Sequence, residues 1–260
     1  MKSALLLFAS TCVAAAQVSN QITSHPLPPY RIEVYAVRNP AQINYVRSTN
    51  CWLRGVTGLE AVSPARVVPL SSSPNQGCGV AVTPRHVYGA THSFSLTAGV
   101  RMWFVTADNR VVERQSIGHT NAGEDVSFAL LDADLPPEIK PLRIFSGKVS
   151  ALQCVGLNQH DYAGVFDATT GGTWFSAVPS QAYPDARIFI AFGDSGKPLM
   201  ALVGGELALV GGWTTPSSGA WLWNGRTNYN AALAGLSAGA GAPVYELRGF
   251  VSAPKGLRKL

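Results

Sequence analysis

An all-β fold with a single late helix is predicted by three features of the chain: short apolar runs bounded by turn residues, two sharp turns between such runs, and one Ala/Leu-rich stretch after them. The runs are Val80–Val82, Met102–Val105, Val126–Leu131, Ile188–Ala191, Leu199–Val203 and Leu207–Val210. Their length and spacing fit strands. Ala107-Asp108-Asn109 turns the chain before Val111-Val112, and Gly204-Gly205 joins Met200–Val203 to Leu207–Val210 as an antiparallel hairpin. Tyr229–Leu236 reads as the helix, stopped by the Gly-Ala-Gly-Ala run that begins at Gly239.

Composition agrees. Of 260 residues, 47% are hydrophobic and 13% charged, with 26 Gly and 17 Pro scattered rather than clustered. That suits a turn-rich β chain with a large core, either one globular unit or two tightly packed halves, and it excludes global disorder. From Gln17 to about Pro74 the chain is irregular, because His25-Pro26-Leu27-Pro28-Pro29 and Ser71-Ser72-Ser73-Pro74 break any helical period. This stretch is expected to wrap the unit that follows.

The first residues read as an export signal: Lys2, then a short apolar span from Ala4 to Ala16, then a small-residue cleavage site before Gln17. A span that short does not anchor in a bilayer. A lipoprotein signal acylated at Cys12 is the competing reading, disfavoured by Thr11. Cleavage leaves Cys51, Cys78 and Cys154, an odd number, so at most one bridge forms within the chain. No Cys/His spacing suits zinc, and neither a metal nor a cofactor is expected. The net charge of +5 is modest, and Arg248, Lys255, Arg258 and Lys259 gather at the C-terminal end against Glu246. Without aromatics interleaved, that is a solubilising tail and not a nucleic-acid groove.

Chemistry concentrates in three segments. Phe192-Gly193-Asp194-Ser195-Gly196-Lys197-Pro198 sets a serine between glycines, which leaves the hydroxyl exposed and lets the Gly193 and Ser195 amides converge on a developing oxyanion. An ordinary hairpin turn capped by Asp194 is the bland alternative. Thr83 to His92 places a histidine after a short β run and a small-residue turn, with His86 as the rival base. His25, His119 and His160 carry no accompanying pattern. Glu124-Asp125-Val126 puts an acid at a strand start, where a carboxylate can accept an imidazole N–H; Asp132 and Asp134 read as turn residues and Glu124 as solvated.

Together these resemble the chymotrypsin family of serine peptidases, in a secreted, bacterial-type form. Ala90-Thr91-His92 is similar to the family's Ala-Ala-His, Asp125 to Leu131 to its Asp-Ile-Ala-Leu-Leu strand with two residues added, and Gly193 to Pro198 to Gly-Asp-Ser-Gly-Gly-Pro. The order His, Asp, Ser is that of this family and not of subtilisins or α/β-hydrolases. An α/β-hydrolase esterase would also need glycine where Lys197 stands. The resemblance covers roughly Gly77 to Leu236.

It implies two six-stranded antiparallel β-barrels with the site between them: residues 75–140 as the first barrel and 141–240 as the second with the helix. They would follow a signal (1–16) and an extension (17–74), and precede a basic tail (241–260). It implies Ser195 as nucleophile, His92 as base, Asp125 as the group orienting His92, and Gly193 and Ser195 as oxyanion donors. The substrate is a protein or peptide. Phe189 would floor the primary specificity pocket and Gly212-Trp213-Thr214 would wall it, favouring small or medium apolar side chains over Lys or Arg.

Several positions depart from the family pattern. Ser93 replaces a cysteine after the histidine, which removes the usual bridge over that loop and suggests Cys78 paired with Cys51, leaving Cys154 free and buried. No activation sequence is visible, so Asp194 is expected to lack a new N-terminal ammonium. Lys197 replaces a glycine beyond the oxyanion donors, a mild change. The atypical N-terminus and missing bridge support a second reading, an inactive protease-like binding scaffold; the complete triad argues against it.

Overall fold

The computed structural model describes residues 18, 21–22, 32–68, 75–76, 79–92, 98–147 and 152–250. The signal, the Pro-rich and Ser-rich segments, Cys78, Ser93 and the chain beyond Phe250 lie outside these.

A short hairpin opens the described chain, β1 (Tyr35–Asn39) and β2 (Asn44–Arg47). Seven strands then form one sheet: β3 (Ala65–Val67), β4 (Asn75–Gln76), β5 (Val80–Ala81), β6 (His86–Ala90), β7 (Arg101–Val105), β8 (Val111–Asn121) and β9 (Val126–Leu131), in the order β4-β3-β7-β8-β9-β6-β5. The second sheet contains β10 (Arg143–Phe145), β11 (Leu152–Leu157), β12 (Ala163–Gly171), β13 (Trp174–Pro179), β14 (Pro198–Val203), β15 (Glu206–Thr215), β16 (Ser218–Trp221) and β17 (Gly249–Phe250). The helix α1 (Arg226–Gly239) precedes β17.

The second sheet closes on itself. Its order runs β14-β11-β12-β13-β16-β15, and β15 pairs back onto β14, giving a six-stranded antiparallel barrel. β10 and β17 extend it as parallel additions beside β15. Closure removes the exposed strand edges that open sheets must protect. Inside, the Trp213 indole packs at 5.0 Å from Phe166 and 5.4 Å from Phe175, and its N–H donates to the Leu157 carbonyl at 3.2 Å. Burying one such ring contributes about 2–3 kcal/mol.

The first sheet is a half-barrel. It curls until Val62 bridges Val80, and the Ser63 amide donates to Gly79 O at 2.8 Å, but its edge strands do not pair as a ladder. The expected two-barrel fold is thus present, with full hydrogen-bonded closure only in the second barrel. β3 enters this sheet from the stretch read as an extension, and Trp52, Leu53, Ala61 and Ala65 there are wholly buried.

Five of the six predicted runs became strands. Ile188–Ala191 is extended without ladder partners; Ile188 and Ile190 face the core, and the residue between them faces out. Gly204 and Gly205 adopt φ of +62° and +78°, the left-handed pair that a tight two-residue hairpin requires. The helix runs longer than predicted but ends at Gly239, inside the Gly-Ala run. It crosses back to the first sheet, where Tyr229 packs at 5.8 Å from Phe128 on β9.

Candidate active site

The first sheet delivers His92 and Asp125 from neighbouring loops. β6 and β9 pair in register from His86↔Leu130 to Ala90↔Val126, so the residues just past one end of each strand meet. Gly123, Glu124 and Asp125 take φ of +83°, +51° and +60° in succession, a left-handed turn in which the two non-glycines carry backbone strain. The turn is held by the Val126 amide on Gly123 O at 2.8 Å and the Thr91 amide on Asp125 O at 2.9 Å. It swings the Asp125 carboxylate under the histidine, where Oδ1 accepts from the His92 amide at 2.9 Å and Oδ2 from the His92 ring at 2.8 Å.

The second barrel delivers Ser195 on the turn that enters β14. Gly196 donates its amide to Trp213 O at 2.8 Å and Trp213 donates to Lys197 O at 2.9 Å, which fixes the turn against β15. Ser195 Oγ lies 2.9 Å from His92 Nε2. Asp125 is an acceptor, so Nδ1 carries the ring proton; Nε2 of the neutral ring then accepts from the Ser195 hydroxyl. A continuous hydrogen-bond path through Ser195, His92 and Asp125 therefore links the second barrel to the first sheet. The His92 side chain is 49% exposed and that of Asp125 16%, so reactants reach the imidazole while the carboxylate stays sheltered.

Gly193, Asp194 and Gly196 shape the turn. Gly193 has φ +99°, a conformation that favours glycine, and its Cα lies against the end of the Gln159 side chain. Asp194 is buried; its carboxylate oxygens accept the Gln159 and Ala191 amides, each at 2.6 Å. Burial raises its pKa, opposed by those two amides and by Lys197. Two backbone donors thus meet the carboxylate.

His86, the rival base, is wholly buried. Its Nδ1 contacts Thr83 Oγ1 at 2.8 Å and its Nε2 contacts Ser237 Oγ at 3.1 Å, and desolvation lowers its pKa to about 4. It is a core histidine tying β6 to α1. His119 and His160 are exposed, and neither joins the path.

The substrate-binding expectations need correction. Phe189 is 70% exposed, with the Arg187 guanidinium 5.6 Å from its ring, an exposure that does not suit the floor of a pocket. The Ile-Phe-Ile alternation sends its neighbours inward and Phe189 outward. The Trp213 indole belongs to the barrel core, leaving its backbone beside Ser195. Gly212 packs against Tyr88, whose ring would lie 2.5 Å from a Cβ there, which joins the two sheets behind the site. Thr214 is half-buried on the same strand. Phe192, not singled out from sequence as a contact, is 95% exposed beside Gly193.

Cys51 is a buried free thiol, so the bridge suggested between Cys51 and Cys78 does not form; burial pushes the Cys51 pKa up to about 11. Cys154 is free and buried, as expected. Lys197 is not a mild change: its side chain is fully buried and its Nζ lies 2.5 Å from Asp161 Oδ1. Among the described residues, no group of three His, Cys, Asp or Glu side chains is placed to hold a metal, and no helix is long and apolar enough to cross a membrane.

No protein-family model matches the chain, and no curated protein matches it. Among solved structures it is similar to neuropsin, a serine protease expressed in the limbic system of mouse brain. The identity is 16%, the alignment covers 66% of this chain and 94% of that one, and the TM-score is 0.46.

Proposed function

We propose that the chain is a serine endopeptidase, and the observation that carries this reading is the Ser195–His92–Asp125 hydrogen-bond path at 2.9 and 2.8 Å. Ser195 Oγ attacks the carbonyl carbon of a peptide as its proton passes to His92 Nε2. Asp125 holds the tautomer and stabilises the imidazolium. The Gly193 and Ser195 amides stabilise the tetrahedral oxyanion. Collapse breaks the C–N bond, and His92 returns the proton to the leaving amine. Water then attacks the acyl-enzyme along the same path and restores Ser195.

The substrate is a peptide segment, and no cofactor enters this chemistry. Apolar side chains before the cut bond are the proposed preference, supported by the exposed Phe192, which adjoins Gly193 in the Ser195 turn. Export is proposed from the first sixteen or so residues, whose charged start and short apolar span have the form of a secretion signal. A fluorophosphonate probe tests the chemistry: the expected result is a covalent adduct mapped to Ser195 and absent from Ser195→Ala. A folded chain that takes no label is the inactive binding scaffold instead.

A further inference from the structure

Two charged groups outside the proton path are buried more deeply than any member of it. Lys197 has no exposed side-chain surface and Asp161 has 3%. The Lys197 ammonium donates to Asp161 Oδ1 at 2.5 Å and to Ser63 O at 3.2 Å. The other Asp161 oxygen accepts from Arg38 Nε at 2.7 Å. Arg38 Nη2 reaches on to Pro64 O at 2.9 Å and Gln159 O at 3.0 Å. Gln159 in turn donates its amide to the Asp194 carboxylate at 2.6 Å, and its side chain lies against Gly193.

The turn that carries Ser195 is therefore gripped on both sides, through Asp194 by way of Gln159 and through Lys197 by way of Asp161. Both routes converge on Arg38, which belongs to β1. Asp161 is itself held at φ +59°, a left-handed conformation that persists only where the surroundings over-determine it. Those surroundings come from the same N-terminal segment: the Val34 amide donates to Asp161 O at 3.0 Å and the Ala163 amide to Ile32 O at 2.8 Å. A buried ion cluster adds little stability over apolar packing of the same volume, so its retention beside a reactive turn points to placement of that turn.

Resting on the peptidase reading above, we propose that Arg38, Asp161 and Lys197 are positioning residues that brace the Ser195 turn. The N-terminal segment from about Ile32 to Val68 is then a permanent part of the working enzyme, not a piece removed to activate it.

The test compares the full wild-type chain with Arg38→Gln, Arg38→Lys and Lys197→Met. Each is measured for the rate of fluorophosphonate capture at Ser195, for kcat and KM on a peptide, and for cooperative unfolding. Arg38→Gln should lower kcat and capture together by roughly ten- to a hundredfold with KM nearly unchanged, as displacement of a reacting group does. Arg38→Lys, which keeps the charge but loses the planar fork, should recover part of the loss. Should Lys197→Met fail to fold, Arg38→Gln decides alone, since it leaves the Asp161 carboxylate paired with the Lys197 ammonium. A folded Arg38→Gln that captures the probe at the wild-type rate overturns the brace. Mass analysis of labelled wild type should find Arg38 still present; an active, labelled species lacking residues through Val68 also overturns it. A folded wild type that takes no label overturns the peptidase reading, and the brace with it.

Discussion

His86 and His92 belong to one short stretch of chain and have opposite fates. His86 begins β6, its ring enclosed between Thr83 and Ser237 and wholly buried. His92 lies just past the end of the same strand, its side chain 49% exposed and hydrogen-bonded across the cleft. The strand runs from the α1 side of the first sheet towards the cleft, so one imidazole meets hydroxyls in the core while the other meets a carboxylate and a serine. Residue type does not separate a structural histidine from a reactive one; the partners at each end of the strand do.

The strongest way to break this contrast is to remove each ring. His92→Ala and Ser195→Ala should each lower kcat on a peptide by roughly four to six orders of magnitude, because members of such a path act as one unit. Thermal unfolding of either variant should stay close to wild type, since both sites are at least partly exposed. His86→Ala should do the reverse, leaving kcat within a few-fold while costing about 2–4 kcal/mol in denaturant unfolding through a cavity and unpaired hydroxyls. Should His86→Ala be the dead variant and His92→Ala the active one, the assignment of the base reverses.

Acid sharpens the same comparison. The folded-state pKa of His86 is lowered to about 4, so between the ordinary value of 6.5 and about 4 the unfolded chain takes a proton that the native core refuses. Stability is fully present above pH 6.5 and declines as pH falls towards 4, by roughly 3 kcal/mol from this group. The Arg85 charge adds to the lowering and Asp134 opposes it. Unfolding free energies measured from pH 7 to 4 should lose much of that slope in His86→Gln, which cannot titrate. A slope unchanged in that variant removes His86 as the cause.

The smallest effect concerns Phe189. Because its side chain faces solvent, Phe189→Asp should shift cleavage towards Lys or Arg by no more than about threefold, the scale of an exposed charge pair. A strong new preference for Lys or Arg in a peptide library would return this residue to the pocket floor.

The proton path was legible in the sequence because its parts are local: a histidine after a β run, an acid at a strand start, and a serine between glycines. Their order along the chain did the rest. The brace was not legible, since Arg38 and Asp161 stand 123 residues apart and Lys197 and Asp161 stand 36 apart, and no motif surrounds Arg38 or Asp161 to point to the partner of Lys197. The half-barrel character of the first sheet escaped for a similar reason: closure depends on which edge strands meet, and period-two alternation does not encode that. Phe189 was misplaced although a signal existed, since Ile188-Phe189-Ile190 alternates and the flanking isoleucines claim the core. The hairpin and the buried Trp52 in the supposed extension were masked by the prolines around them.

Closure of the second barrel also sets an order of events in folding. The strand that seals the ring, β14, is the strand that Ser195 leads into, and the hydroxyl meets His92 across 103 residues of chain. As the chain emerges from the N-terminal end, His92 and Asp125 are present well before the nucleophile exists. When β14 pairs with β11 and β15, the Ser195 turn is set where its hydroxyl meets His92. On the peptidase reading, a chain whose second barrel has not yet closed has no nucleophile in place to attack itself or its neighbours.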